Sequence, residues 1–184
     1  VVYSDNVRHV ISDYLFGVNE GTDAECVNTG NELQNEHHTI ERVGVYDGSG
    51  RPLTGAAANN EPIFVKMKGE IKEENNLLNL GFVLFDDSDR QLFISYVKDL
   101  AQDDWPALKK GPFELTAKIP PHLLNEGNYR IEMISNLHFT RWLIEPGGGG
   151  PVVNFEVRGG LSESPYWVLR RGGFMAPVLD WEAR

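Results

Sequence analysis

The sequence predicts an all-β chain, an immunoglobulin-like antiparallel β-sandwich of seven or eight strands, and three observations carry that prediction. From His38 onward, β-branched and aromatic residues gather in short runs; explicit turn residues separate the runs; and several runs alternate in polarity with period two. A chain of 184 residues can bury roughly 70% of its unfolded surface, so such a sandwich needs no disulfide staples. With Cys26 as its single cysteine it can form no internal disulfide.

Residues 1–17 read as a short amphipathic helix. Ser4 caps it, Asp5 suits the positive end of its dipole, and Val7, Val10, Ile11, Tyr14 and Leu15 recur at helical spacing before Gly17 stops it. Residues 18–37 are polar, rich in Asn, Glu, Gly and Thr, and without period, as in a mobile linker. Residues 38–184 then form the sandwich, with strands expected at 39–46, 63–71, 78–85, 91–97, 113–119, 127–137, 152–157 and 174–181. Asp47-Gly48-Ser49-Gly50, Asp86-Asp87-Ser88-Asp89, Lys110-Gly111-Pro112 and Pro120-Pro121 break the pattern between them. Connections this unequal favour a sandwich over a closed barrel.

Two strands indicate which way they face. Leu78, Leu80, Phe82 and Leu84 share one side and Asn79, Gly81, Val83 and Phe85 the other, so both sides are apolar and the strand is central. In Leu124-x-x-Gly127-x-Tyr129 the tyrosine stands just inside a strand after a tight turn, the setting of a tyrosine corner. An inward Tyr129 buries Ile131 and Met133 and turns Arg130, Glu132, Ile134 and Asn136 outward.

The formal charge of −10 argues against a nucleic-acid partner, which needs a clustered basic surface, and against adsorption to anionic lipid. Apolar runs such as 77–85 fall far below the roughly 20 residues that span a bilayer. Neither a nucleophile elbow nor a phosphate-binding P-loop motif is present. The adjacent His37 and His38 diverge on an extended chain and read as a solvated loop, and no cysteines stand near to complete a zinc site. The acidic turns 86–89 and 103–104 offer oxygen ligands to calcium but lack EF-hand spacing, so a structural turn is favoured. Gly147-Gly148-Gly149-Gly150, with no helix after it, reads as a flexible connector.

The aromatic residues are the more informative class, because sugar rings present apolar C–H faces that stack on Trp and Tyr while their hydroxyls pair with Asn, Glu and His. Tyr96, Trp105, Trp142, Tyr166 and Trp167 are the candidates, each of which can also serve simply to cover the end of the core.

From about residue 40 to 182 the chain resembles the C-terminal carbohydrate-binding domain of the Wzt-type ATP-binding subunit of O-antigen polysaccharide ABC transporters. The residues that carry the resemblance are Leu80-Gly81-Phe82-Val83-Leu84 with its acidic turn, Leu92-Phe93-Ile94-Ser95, the stretch Ile119 to Ile131 with Pro120-Pro121-His122 and Gly127-Asn128-Tyr129, Phe155-Glu156-Val157, and the ending Gly172 to Glu182. The glycine-proline connector 146–151 and the aromatic stretch 139–143 depart from the family pattern. The resemblance implies non-catalytic recognition of a lipid-linked O-antigen polysaccharide, at its non-reducing end, and hence no enzyme and no cofactor in this chain. It implies an upstream ATPase domain using ATP and Mg, to whose end the helix 1–17 belongs, a membrane-spanning permease as partner, and a cytoplasmic place at the inner membrane. It also implies a homodimer formed by exchanging the terminal strand, here Phe174, Met175, Pro177, Val178, Leu179 and Trp181. On the sandwich itself, alternation and the aromatic loops nominate Tyr96, Trp105, Glu132, Asn136, His138 and Trp142 as the sugar-contacting set. The competing expectation is a structural dimerisation or spacer module that binds no glycan.

Overall fold

Alternating apolar residues of paired strands build the molecule, seen here in a computed structural model that describes residues 24–30, 33–160, 162–166 and 170–183. The expected helix of residues 1–17 and Trp167 lie outside the described residues. The described residues form nine strands: β1 (Glu25–Val27), β2 (His38–Tyr46), β3 (Ile63–Ile71), β4 (Leu78–Asp86), β5 (Gln91–Tyr96), β6 (Gly111–Ile119), β7 (Gly127–Leu137), β8 (Arg141–Ile144) and β9 (Val152–Val157). One sheet runs β1-β2-β3-β6; the other runs β5-β4-β7, with β8 and β9 both pairing with β7. All these pairings are antiparallel. The expected β-sandwich is therefore the fold, with more strands than the seven or eight anticipated.

The core lies between the sheets. Leu78, Leu80, Phe82 and Leu84 of β4 and Tyr129, Ile131 and Met133 of β7 join Ile40, Val43, Val45, Val65, Met67 and Ile71 of the facing sheet in one buried cluster. Each fully buried aliphatic side chain contributes about 1.5–3 kcal/mol by leaving water. β4 lies between β5 and β7, so its apolar residues on both faces have a structural cause. The tyrosine corner is present as well: the Tyr129 hydroxyl donates to the Asn125 carbonyl at 2.8 Å.

A polar contact joins the sheets through this core. His38 of β2 and Ser135 of β7 are fully buried, with Nε2 and Oγ 2.9 Å apart. Asn35 fixes the protonation state, because its Oδ1 accepts from the His37 and His38 amides and its Nδ2 is therefore left to donate to His38 Nε2 at 3.1 Å. Nε2 must then be the bare nitrogen and the ring neutral. Burial first, and then the His37 and Lys72 charges, lower the His38 pKa to about 4.

Several expectations are corrected. The histidine pair is not a solvated loop, since both side chains are buried where β2 begins. The described part of the stretch read as a linker packs on the sandwich: Glu25–Val27 pairs with β2, and Ala24 and Leu33 enter the core. The outward position expected for Ile134 is buried. Residues 174–181 form no strand in the single chain. Met175 makes one isolated bridge to Leu124, Ala176 is buried and its amide faces the Leu123 carbonyl, and Pro177 has no N–H with which to extend a ladder. Beyond that point Val178, Leu179 and Trp181 are exposed.

Candidate functional site

Strand alternation decides which residues reach the outer face of the β5-β4-β7-β8 sheet, and register decides which of them meet. Tyr96 pairs with Gly81, which pairs with Ile134; one step along, Asn79 pairs with Asn136, which pairs with Trp142. Gly81 makes the arrangement possible, because a Cβ there would stand 2.7 Å from the Tyr96 ring and 2.3 Å from the Ser95 carbonyl oxygen. Across this bare strand the Tyr96 side chain reaches β7, where its oxygen accepts from Asn136 Nδ2 at 3.3 Å. Burial pushes the Tyr96 pKa up, so the hydroxyl keeps its proton and has it to donate.

Tyr96, Asn136 and Trp142 are thus brought together at one end of the sheet, with Trp142 44% exposed. Asn79 completes the group and is absent from the expected set. Its signal was available in the strand reading, which set it apart from the buried Leu78, Leu80, Phe82 and Leu84 face, as the one polar residue among Gly81, Val83 and Phe85. The Oδ1 atoms of Asn79 and Asn136 are shielded from solvent and have no hydrogen-bond partner among the described residues, a state that costs about 1–3 kcal/mol per acceptor.

The other three expected residues are placed differently. His138 stands just past the end of β7, exposed, with its ring 3.9 Å from that of Phe139. Trp105 lies beyond the sheet in the segment after β5; its indole N–H donates to the Leu100 carbonyl and Lys98 Nζ sits 5.1 Å from its ring centre. The same Lys98 donates to the Asn76 carbonyl, and burial lowers its pKa. Glu132 is four residues down β7 from Asn136, roughly 13 Å away at strand rise, and both its oxygens are engaged. Oε1 accepts from Arg130 at 3.0 Å and Oε2 from the Gly147 amide at 2.7 Å.

That second bond corrects the reading of the glycine run as a loose connector. Gly147 and Gly149 occupy positive φ, which favours glycine, and the Gly148 amide closes a turn onto the Glu145 carbonyl. Gly150 is buried where a Cβ would stand 2.4 Å from Ile144. The anchored turn forms one wall of a cleft of about 330 Å³ that runs from Trp142 to Gly150 and is closed on its other side by residues 33–35.

Alternative chemistries find less support. His38 and Ser135 are a serine–histidine pair, but both are fully buried and His38 Nδ1 has no carboxylate to orient it. Asp86 accepts from the Ser88 and Arg90 amides and pairs with the Arg90 side chain, while Asp89 pairs with Arg130, so this acidic turn is structurally occupied. Among the described residues no group of three His, Cys, Asp or Glu side chains is arranged to hold a metal ion. No helix of the described residues is long and apolar enough to cross a membrane.

No family model matches the sequence, and no curated protein does. Among solved structures, the chain is similar to the crystal structure of the C-terminal domain of Wzt, with a TM-score of 0.55 and 11% identity over 82% of this chain and 86% of that one. The likeness spans the sandwich, and at that identity what the two chains share is their fold.

Proposed function

We propose that this domain binds a lipid-linked O-antigen polysaccharide without chemically altering it, and so selects the polymer for export by an ABC transporter. The observation that carries the reading is the group Tyr96, Asn136 and Trp142 on one end of an outer sheet face: an exposed indole for a sugar's C–H face beside a phenol and carboxamides for its hydroxyls. The fold shared with a Wzt C-terminal domain points the same way. The unpartnered Asn79 and Asn136 oxygens add to it, since a ligand hydroxyl that moves Tyr96 aside recovers two hydrogen bonds. Trp105 and His138 extend the surface at the same end, whereas Glu132 acts from below by holding the glycine turn.

Affinity electrophoresis and calorimetry with purified O-polysaccharides test this. Trp142→Ala is expected to weaken binding by at least about tenfold, and Tyr96→Ala by a similar factor, as aromatic anchors do in other interfaces; Trp105→Ala has a smaller effect. Binding unchanged in all three variants sinks the reading.

A second reading, dimerisation, draws on a different observation. Among the described residues the C-terminal segment is held as far as Pro177, whose carbonyl accepts from Arg171 at 3.0 Å, and the apolar Val178, Leu179 and Trp181 that follow are exposed. In a homodimer they would be covered by a second copy, with Phe174, Met175 and Pro177 as the crossing point. In the full protein an upstream ATPase domain at the cytoplasmic face of the inner membrane would carry this domain to its permease. A monomer by light scattering at micromolar concentration removes the dimer from the proposal and leaves glycan binding in place.

A further inference from the structure

We propose that the cleft between residues 33–35 and the 142–150 strand and turn is a separate subsite, formed to take one or two uncharged sugar rings. The inference rests on the glycan-binding reading and adds to it a second place and a charge preference.

Size sets the first limit. A volume of about 330 Å³ is near the lower end of small-molecule pockets, which run from about 300 to 1,000 Å³, so the cleft suits a ring or two and not a length of polymer. Its walls are of three kinds. Trp142 brings an apolar aromatic surface, Gly148 to Gly150 bring main-chain groups with no side chain in front of them, and Gln34 and Asn35 bring carboxamides.

Both walls are held in place before any ligand arrives. The glycine turn is tied by the Gly147 amide to Glu132 and by the Met133 amide to the Pro151 carbonyl. Opposite, Asn35 is locked to His37 and His38, and Gln34 Oε1 accepts from Lys72 at 2.9 Å. Preformed walls lower the ordering cost of binding.

Charge narrows the ligand. Glu145 is the ionisable side chain in the lining, and no cationic side chain lines the cleft. Behind the wall of residues 33–36, Arg141 pairs with the Glu36 carboxylate, while Lys72 donates to the neutral Gln34 Oε1 and Asn35 carbonyl and keeps its charge. A uronate or a phosphorylated sugar would bring a second negative charge beside Glu145 in a lining that offers no cationic side chain, on a chain of net charge −10. A neutral hexose, deoxyhexose or N-acetylhexosamine meets no such penalty.

The test is a nitrogen-15 NMR titration of the chain with the methyl glycosides of a neutral hexose, a 6-deoxyhexose, an N-acetylhexosamine and a hexuronic acid. At least one neutral glycoside is expected to shift the Gly148, Gly149 and Gly150 amides together with the Trp142 indole. The hexuronate should bind at least about tenfold more weakly, and Glu145→Gln should narrow that gap to about threefold or less. Shifts confined to Tyr96, Asn79 and Asn136 overturn the second subsite and leave the glycan-binding reading standing. A hexuronate that binds the cleft as tightly as the neutral sugars overturns the charge preference. Silence throughout, with purified O-polysaccharides included, overturns both.

Discussion

The two ends of β7 are built from similar residues and do opposite things. At its Gly127 end the aromatic, Tyr129, is buried and stacked on Phe155 at 5.5 Å, its hydroxyl is spent on Asn125, and Arg130 is shared among Phe85, Glu132 and Asp89. At its Leu137 end the aromatics Trp142 and Phe139 are exposed, and two carboxamide oxygens have no partner. At the first end Tyr129, Arg130 and Asn125 spend their polar groups within the chain, which is how a fold is fixed. The second leaves both apolar surface and polar capacity unspent, which is what a ligand requires. Chemical type alone does not distinguish the two ends; the partners do.

The comparison breaks if the Gly127 end is less important to stability than this. Asn125 is fully buried, its Nδ2 donates to the Arg171 and Gly173 carbonyls at 2.8 Å each, and its Oδ1 accepts from the Glu126 amide. Asn125→Ala is therefore expected to cost about 3 kcal/mol in urea unfolding, with faster proteolysis of the C-terminal segment and no change in glycan affinity for the folded fraction. A loss below about 0.5 kcal/mol shows that the latch is dispensable.

His38 tests the region between the two ends. Its pKa of about 4 in the folded chain lies below the unfolded value of about 6.5, so between those values the unfolded chain binds the extra proton. The contribution of neutral burial is complete above about pH 7, is lost as pH falls toward 4, and levels off below, for a total of at most about 3 kcal/mol. Urea midpoints measured from pH 7.5 to 4.5 check this, and in His38→Gln that part of the slope disappears.

Tyr129→Phe sharpens the contrast with the smallest change, a single oxygen. It removes the corner bond and is expected to cost about 1 kcal/mol. By contrast Trp142→Ala, a far larger truncation, should leave stability within about 0.5 kcal/mol because the side chain is exposed, even as it weakens glycan binding.

How far the sequence foretold this follows from where the information lies. β3, β7 and β9 match their expected bounds because each is a run whose alternation registers one buried face. β1 has three residues, Glu-Cys-Val in a polar stretch, and exists through its pairing with β2; β8 is four residues with an exposed start. Neither carries a periodic signal of its own. The opposite failure occurs at 174–181, where apolar composition suggested a strand that in the single chain makes one isolated bridge and no ladder. At the site, Asn136 was read from alternation and Tyr96 and Trp142 from their aromatic type, but the cleft was not legible. Its walls come from residues more than a hundred positions apart and from a glycine run whose rigidity depends on Glu132.

β7 is served on one side by two strands in succession, with β8 ending opposite Ser135 and β9 beginning opposite Glu132. The chain leaves the sheet between them, and the turn that makes this excursion is the cleft wall. A sandwich organised this way separates inheritance of the scaffold from inheritance of selectivity: residues 145–151 can change length or composition across a lineage while every strand keeps its register, because long surface loops cost little to vary. Under the proposed glycan-binding role, one frame can then be refitted for other ligands by editing a single excursion.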